Sequence, residues 1–203
     1  MNNRKQPFFS ALSHKMWDPL VHLMTLGNTR AKDLEGRMAR IEAEADIRDV
    51  HLAYTYSYDE GDVPGAIKCF HKDCVLVNPR GIYEGIAAIE ENYRYLVNRR
   101  RFSFHNTTNI AVRVSDDLKE AGMVAFLSAV AVQHSGLLTG LNGTYVDRLI
   151  KTDEGWKIIE RRITSNVRYH LMPSPQIGSH VLPPPTGTSP GSSQEWLGEA
   201  AIV

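Results

Sequence analysis

Two tyrosines and a carboxylate fall together at the end of a helix-forming segment. In Tyr54-Thr-Tyr-Ser-Tyr58-Asp59-Glu60-Gly61-Asp62, Tyr54 and Tyr58 are four residues apart and share one helix face. Asp59 falls in the last turn, where the helix macrodipole disfavours a carboxylate by several tenths of a kcal/mol. An unfavourable position of this kind is consistent with a catalytic carboxylate. The alternative is that the three neighbouring acids simply face water.

A second candidate is the histidine in Phe102-Ser-Phe-His105-Asn-Thr-Thr-Asn109. Histidine titrates near neutral pH and is therefore suited to accept a proton from a substrate. A nearby carboxylate would fix its tautomer and stabilise the imidazolium formed during reaction. Asp59 is the candidate partner of His105, although spacing in the sequence does not show that they meet. The alternative is a structural or solvent-exposed histidine.

Other kinds of site lack support in the sequence. The segment Cys69-Phe-His71-Lys-Asp-Cys74 holds metal-type ligands, but its spacing matches no zinc signature and no second pair follows. The glycine-rich, P-loop, nucleophile-elbow and HExxH motifs do not occur. We therefore predict neither a metal site nor a cofactor. Tyr145 and Phe126 occur at strand spacing, which favours a role in the core or in a pocket wall.

The elements that must position these residues follow from hydrophobic periodicity. Apolar residues at helical spacing predict a helix from Leu34 to about Asp59 that ends at Gly61, followed by helices near Val63–Phe70 and Ile86–Val97. The predicted strands are Cys74–Pro79, Thr107–Val114, Ala121–Gln133, Asn142–Thr152 and Trp156–Val167, and the last four are rich in β-branched and aromatic residues. Helices followed by an antiparallel meander predict an α+β fold in which a curved sheet encloses an apolar pocket.

Composition divides the chain into three zones and limits its partners. We predict an N-terminal helical extension over 1–33, a domain over 34–172 and a proline-rich tail over 173–203. Basic and acidic residues number 23 each, which argues against nucleic-acid or anionic-membrane binding. Two cysteines favour a reducing compartment, and neither a membrane span nor a signal peptide is evident. The sequence thus predicts a cytoplasmic protein.

Several local patterns occur in an order that resembles the SnoaL-like branch of the nuclear-transport-factor-2-like (NTF2-like) superfamily. The resemblance covers about residues 36–170, and the order and spacing of the patterns carry it. The patterns are Ile47-x-Asp49, Tyr58-Asp59-x-Gly-Asp62, His105-x-x-x-Asn109, Gly143-Thr-Tyr145 and Asp153-Glu-Gly-Trp156-Lys157. Similar patterns occur in scytalone dehydratase, hexachlorocyclohexane dehydrochlorinase and the bacterial bile-acid dehydratase.

The resemblance implies an NTF2-like cone, with three helices packed in a strongly curved antiparallel sheet, and a catalytic dyad of Asp59 and His105 in its pocket. Tyr54 matches a tyrosine position of the bile-acid enzyme, and Tyr58 matches the tyrosine beside the aspartate of scytalone dehydratase. His134 is the candidate for that enzyme's second pocket histidine. The remaining implied substrate-binding residues are Asn109, Tyr145 and Phe126.

The activity implied is that of a cofactor-independent lyase, a dehydratase acting on a small apolar ring-containing substrate. Two alternatives stay open: an isomerase or polyketide-type cyclase that uses the same dyad, and a non-catalytic binding or assembly module, because a fold does not fix a function. The edges and apolar outer face of an open sheet also predict a homo-oligomer. The resemblance implies that a trimer is favoured over a dimer.

Overall fold

The computed structural model describes residues 33–171, so the predicted N-terminal extension, apart from Asp33, and the proline-rich tail lie outside the described residues. This part of the chain contains three helices and six strands. They are α1 (Leu34–Asp59), α2 (Val63–Lys68), β1 (Phe70–Asn78), β2 (Gly81–Glu84), α3 (Ile86–Val97), β3 (Arg100–Val114), β4 (Glu120–Gln133), β5 (Leu138–Thr152) and β6 (Gly155–Leu171). No helix in this range is long and apolar enough to cross a membrane.

The strands form one curled sheet in the order β2-β1-β6-β5-β4-β3. The predicted α+β fold with its meander of long strands is confirmed, with one difference. All neighbours are antiparallel except β1 and β6, which pair in parallel. Parallel neighbours need a long crossover connection, and here the crossover contains β2, α3 and the three strands of the meander.

The long helix α1 supplies most of the core facing the sheet. Asp33 caps its start by accepting a 2.7 Å hydrogen bond from the backbone N–H of Gly36. Its end is as predicted, because Gly61 adopts the left-handed conformation with φ of 77°. The buried face recurs every three to four residues and includes Ala43, Ile47, His51, Tyr54 and Tyr58. This face contacts both β3 and β6, so the sheet wraps around the helix.

The first half of β3 is a strand that the sequence pattern did not predict. The strand begins at Arg100, ahead of the predicted start at Thr107. Ser103 is buried and His105 is nearly so, whereas Phe104 between them points outward with 56% of its surface exposed. The usual alternation is therefore inverted here, with polar side chains facing the interior. Inverted polarity of this kind is typical of a strand that lines a site.

Candidate functional site

Asp59 and His105 lie in direct hydrogen-bonding contact. His105 Nδ1 is 2.5 Å from Asp59 Oδ1, and the backbone N–H of His105 donates to Asp59 Oδ2 over 2.8 Å. The side chains are only 17% and 11% exposed for Asp59 and His105. An ionised carboxylate can only accept hydrogen bonds, so Nδ1 carries the proton of the neutral imidazole. Nε2 therefore keeps its lone pair and is the basic atom of the pair.

The carboxylate of Asp59 is held in its ionised form by its surroundings. The Ser103 hydroxyl donates a third hydrogen bond, 2.6 Å long, to Oδ1. Burial alone would raise the pKa of Asp59, but the hydrogen bonds and charge of His105, together with Ser103, outweigh burial and lower that pKa. The position of Asp59 at the helix end brings it within reach of the inward-facing residues of β3. The dipole-disfavoured position is thus compensated by three donors.

Four tyrosines form the wall beside the dyad. The Tyr58 ring meets the His105 ring edge-on, with centroids 5.3 Å apart, and stacks on Tyr54 at 5.8 Å. Tyr93 and Tyr145 pack against Tyr54 at 5.9 and 6.1 Å. Burial raises the pKa of Tyr58 to about 12, and burial likewise raises the pKa of Tyr93 and Tyr145 above the ordinary range. These phenols therefore stay protonated near neutral pH and can serve as hydrogen-bond donors.

These side chains line a cavity of about 400 Å³ inside the curled sheet. Its deep part is formed by the four tyrosines, Ser103 and His105, with apolar side chains such as Leu127 and Ile163 completing the wall. A mostly apolar cavity with a few convergent polar groups is the usual form of a small-molecule site. Within the described residues, no cluster of three His, Cys, Asp or Glu side chains is arranged to hold a metal ion.

Three of the residues predicted to bind substrate are placed outside this cavity. Asn109 is exposed at a bulge in β3, with φ of 52°. His134 is exposed in the turn after β4. Phe126 lies on the face of β4 opposite Leu127, because successive side chains of a strand alternate between the two faces. The cavity does receive Tyr54, Tyr58, His105 and Tyr145, while Asp59 lies directly behind His105.

Sequence reasoning missed a buried charged network beneath the tyrosines. Arg161 in β6 is fully buried and donates to both carboxylate oxygens of Asp147 in β5, over 2.8 and 2.6 Å. Its Nη2 lies 3.3 Å from His51 Nδ1 on α1, and its guanidinium carbon is 4.0 Å from the Tyr54 ring centroid. The sequence gives no sign that Arg161, Asp147 and His51 are buried. Arg161 thus holds the ring of Tyr54 in place by a cation–π contact.

Solved structures with the same fold are consistent with this architecture. A hexachlorocyclohexane dehydrochlorinase, LinA-type3 from Novosphingobium barchaimii, is 17% identical, with 72% of this chain and 99% of that chain covered and a TM-score of 0.61. A candidate scytalone dehydratase from Novosphingobium aromaticivorans is 19% identical, with coverage of 77% and 99% and a TM-score of 0.60. An NTF2-like superfamily protein from Salmonella enterica is 20% identical, with coverage of 62% and 92% and a TM-score of 0.58. At these identities the likeness shows the fold alone.

The family assignment comes from the sequence itself. No functionally curated protein matches the chain. The family model described as the SnoaL-like domain matches residues 39–162, which is more than half of the chain and includes most of α1, Asp59, His105 and the four tyrosines. The predicted resemblance is therefore confirmed, and the chain belongs to the SnoaL-like family.

Proposed function

We propose that the chain is a lyase of the dehydratase type that acts on a ring-containing substrate without a cofactor. The observation that carries this proposal is the hydrogen bond between His105 and the buried carboxylate of Asp59, at the wall of a tyrosine-lined cavity. Dehydratase and dehydrochlorinase names among proteins of the same fold support an elimination reaction. If Asp59 simply faced water and His105 were an isolated surface histidine, the two side chains would not form this hydrogen bond.

The proposed reaction uses His105 as the base and a neighbouring tyrosine as the acid. Nε2 of His105 takes a proton from a substrate carbon, ideally one made acidic by an adjacent carbonyl. The electron pair left on carbon forms the new double bond as the C–O bond breaks, and the departing oxygen takes the hydroxyl proton of Tyr54 or Tyr58. Asp59 stabilises the imidazolium, whose proton then returns to the phenolate. The sum is loss of one water, and the enzyme is regenerated.

The test removes each half of the dyad. His105→Ala deletes the base, and Asp59→Asn replaces a group that orients and stabilises the imidazolium, so we expect each to lower kcat by about 10²- to 10⁴-fold. The matched controls are His134→Ala and Glu60→Gln, an exposed histidine and an exposed acid outside the cavity. Both controls should keep wild-type turnover. Wild-type rates in both dyad variants would refute the proposal.

The assay also separates the competing activities. Candidate substrates are ring compounds with a hydroxyl group β to a carbonyl, incubated in heavy water and followed by mass spectrometry. Loss of 18 Da identifies dehydration, whereas a product of unchanged mass identifies an isomerase or cyclase. Solvent deuterium that enters the substrate carbon only when His105 is present shows proton abstraction, and a pure binding module gives neither signal.

A further inference from the structure

Positive charge is concentrated at the mouth of the cavity, although the chain as a whole carries no net charge. Four arginines line the cavity, and three of them are exposed and therefore mark its outer end. They come from three places in the fold: Arg80 lies in the turn between β1 and β2, Arg99 and Arg100 lie where the turn after α3 meets β3, and Arg168 lies near the end of β6. We call these four residues the arginine rim.

The arginine rim has no carboxylate partner within residues 33–171. None of the side chains lining the cavity is an aspartate or glutamate, and none of the four arginines forms an ion pair with an acid in this range. Other surface arginines do form ion pairs, as Arg94 does with Glu90 and Arg40 with Asp116. Grouping like charges is unfavourable unless something of opposite sign binds between them.

Aromatic rings hold three of the rim arginines in position, and Arg168 Nε donates to the Ser165 hydroxyl over 3.1 Å. The guanidinium carbons of Arg80 and Arg99 lie 5.2 and 5.3 Å from the centre of the same Tyr95 ring. Arg100 lies 4.1 Å from the Tyr58 ring centre and donates to the Tyr58 carbonyl oxygen. Each guanidinium has five N–H donors in a planar fork, a geometry that matches the two oxygens of a carboxylate or phosphate. These contacts therefore orient donors that suit an oxyanion.

We propose that the arginine rim binds an oxyanion carried by the substrate, a carboxylate or a phosphate group, while the ring of the same molecule enters the tyrosine-lined cavity. This inference rests on the proposed function, because it takes the cavity to be the substrate site. It narrows the substrate class from apolar ring compounds to ring compounds with one anionic arm. The volume of about 400 Å³ is sufficient for a fused two-ring system.

The experiment measures binding and needs no turnover. The probes are 1-naphthoate, 1-naphthyl phosphate and the neutral 1-naphthamide, titrated by calorimetry into the full chain. Charge-assisted hydrogen bonds to arginine should make at least one anionic probe bind about tenfold more tightly than the amide. Comparison of naphthoate with naphthyl phosphate shows which oxyanion the rim prefers.

The double variant Arg99→Gln/Arg168→Gln should abolish the preference for anionic probes and leave naphthamide affinity unchanged. Arg94→Gln is the matched control, since Arg94 is an exposed arginine on α3 that does not line the cavity, and it should keep the preference. Equal binding of anionic and neutral probes by the wild type would overturn the inference. Loss of the preference in the Arg94→Gln control would overturn it too. The preference would then come from the overall positive charge of the surface and not from the arginine rim.

Two further measurements keep this inference separate from the proposed function. Thermal unfolding by circular dichroism confirms that the double variant is folded. Titration of the His105→Ala variant with the same probes should give the wild-type anionic preference, because the rim does not require the base. An intact preference with no lyase activity on any candidate substrate would refute the proposed function and leave the rim in place.

Discussion

Asp59 is the residue on which the proposed chemistry depends most. It occupies a helix end that disfavours negative charge, yet three donors from β3 hold it ionised. The sequence identified Asp59 and His105 as candidates because their residue types suit acid–base chemistry. It did not identify Ser103, since one serine in a strand carries no signal of its own. Only the folded structure shows that the serine hydroxyl donates to a carboxylate 44 residues away in the sequence.

Tyr54 is predicted to act through its hydroxyl group. Tyr54→Phe keeps the ring that packs on Arg161, so the fold should survive, while kcat should fall by about 10²-fold if this phenol protonates the leaving group. Tyr56→Phe is the matched control, because Tyr56 lies two residues away on the same helix and is 71% exposed. Steady-state kinetics with both variants, and with Tyr58→Phe, assign the proton donor. Unchanged kcat in Tyr54→Phe would remove Tyr54 from the mechanism.

The burial of Arg161, Asp147 and His51 could not be predicted from the sequence. Charged residues in a half-exposed strand normally face solvent, so Arg161 in a Glu-Arg-Arg run has the pattern of a surface residue. Its burial depends on a partner in β5 and a histidine on α1, which are distant in sequence. A pattern of neighbouring residues in the sequence does not show that these three side chains will contact one another.

At the scale of elements, the helices were predicted more accurately than the strands. The period and cap of α1 are local properties, and both its start and its end agree with the prediction. Successive side chains of a strand point to opposite faces of the sheet, so a prediction that is wrong by one residue places every side chain on the wrong face. Leu127 faces the cavity while Phe126, one residue earlier, does not. The sequence could not fix this choice, because both residues are apolar.

Gly143 in β5 is an element-scale requirement with a testable consequence. It lies at a register shift between β5 and β6, and a Cβ atom placed there would be 1.9 Å from the carbonyl oxygen of Thr164. Gly143→Ala must therefore move the backbone of β6, and we expect it to lower the free energy of unfolding by about 1–3 kcal/mol. Urea denaturation measures the change.

The control for Gly143→Ala is Asn142→Ala, in the same strand with an exposed side chain. It should change stability by less than about 0.5 kcal/mol. Since Gly143 is two residues from Tyr145 of the cavity wall, the glycine variant should also bind aromatic probes less tightly. Equal free energies of unfolding for the two variants would contradict the prediction, because β6 would then move without any loss of stability.

At the scale of the whole molecule, His51 links α1 to the sheet and makes stability depend on pH. Burial, and then the charges of Arg161 and His105, lower the pKa of His51 from its ordinary 6.5 to about 3. Between these values the unfolded chain binds a proton that the folded chain does not. The folded state is therefore not destabilised by His51 above pH 6.5, and the free energy of unfolding decreases as the pH falls from 6.5 toward 3.

We expect the free energy of unfolding to fall by about 1.4 kcal/mol per pH unit below pH 6.5 through this histidine. His51→Gln should remove that part of the slope between pH 6 and 4.5, measured by urea denaturation at each pH. His134→Gln, which changes an exposed histidine, should leave the slope as in the wild type. The pKa of Asp59 is lowered from 3.8, so its contribution is lost only at lower pH. An identical slope in His51→Gln would contradict this assignment.

The predicted homo-oligomer, with a trimer favoured over a dimer, stays a prediction. Phe104 on the outer face of β3 is an exposed aromatic residue of the kind that subunit contacts cover. Sedimentation equilibrium of the full chain measures the assembly directly.

The position of β6 between β1 and β5 has a consequence for synthesis of the protein. A nascent chain that has left the ribosome through β5 holds two separate pieces of sheet, the β1–β2 hairpin and the β3–β5 meander, and no strand pairing joins them. Arg161, which packs against the Tyr54 ring of α1, belongs to the missing strand. Translation must therefore pass beyond β6 before the two pieces become one sheet and a cavity exists.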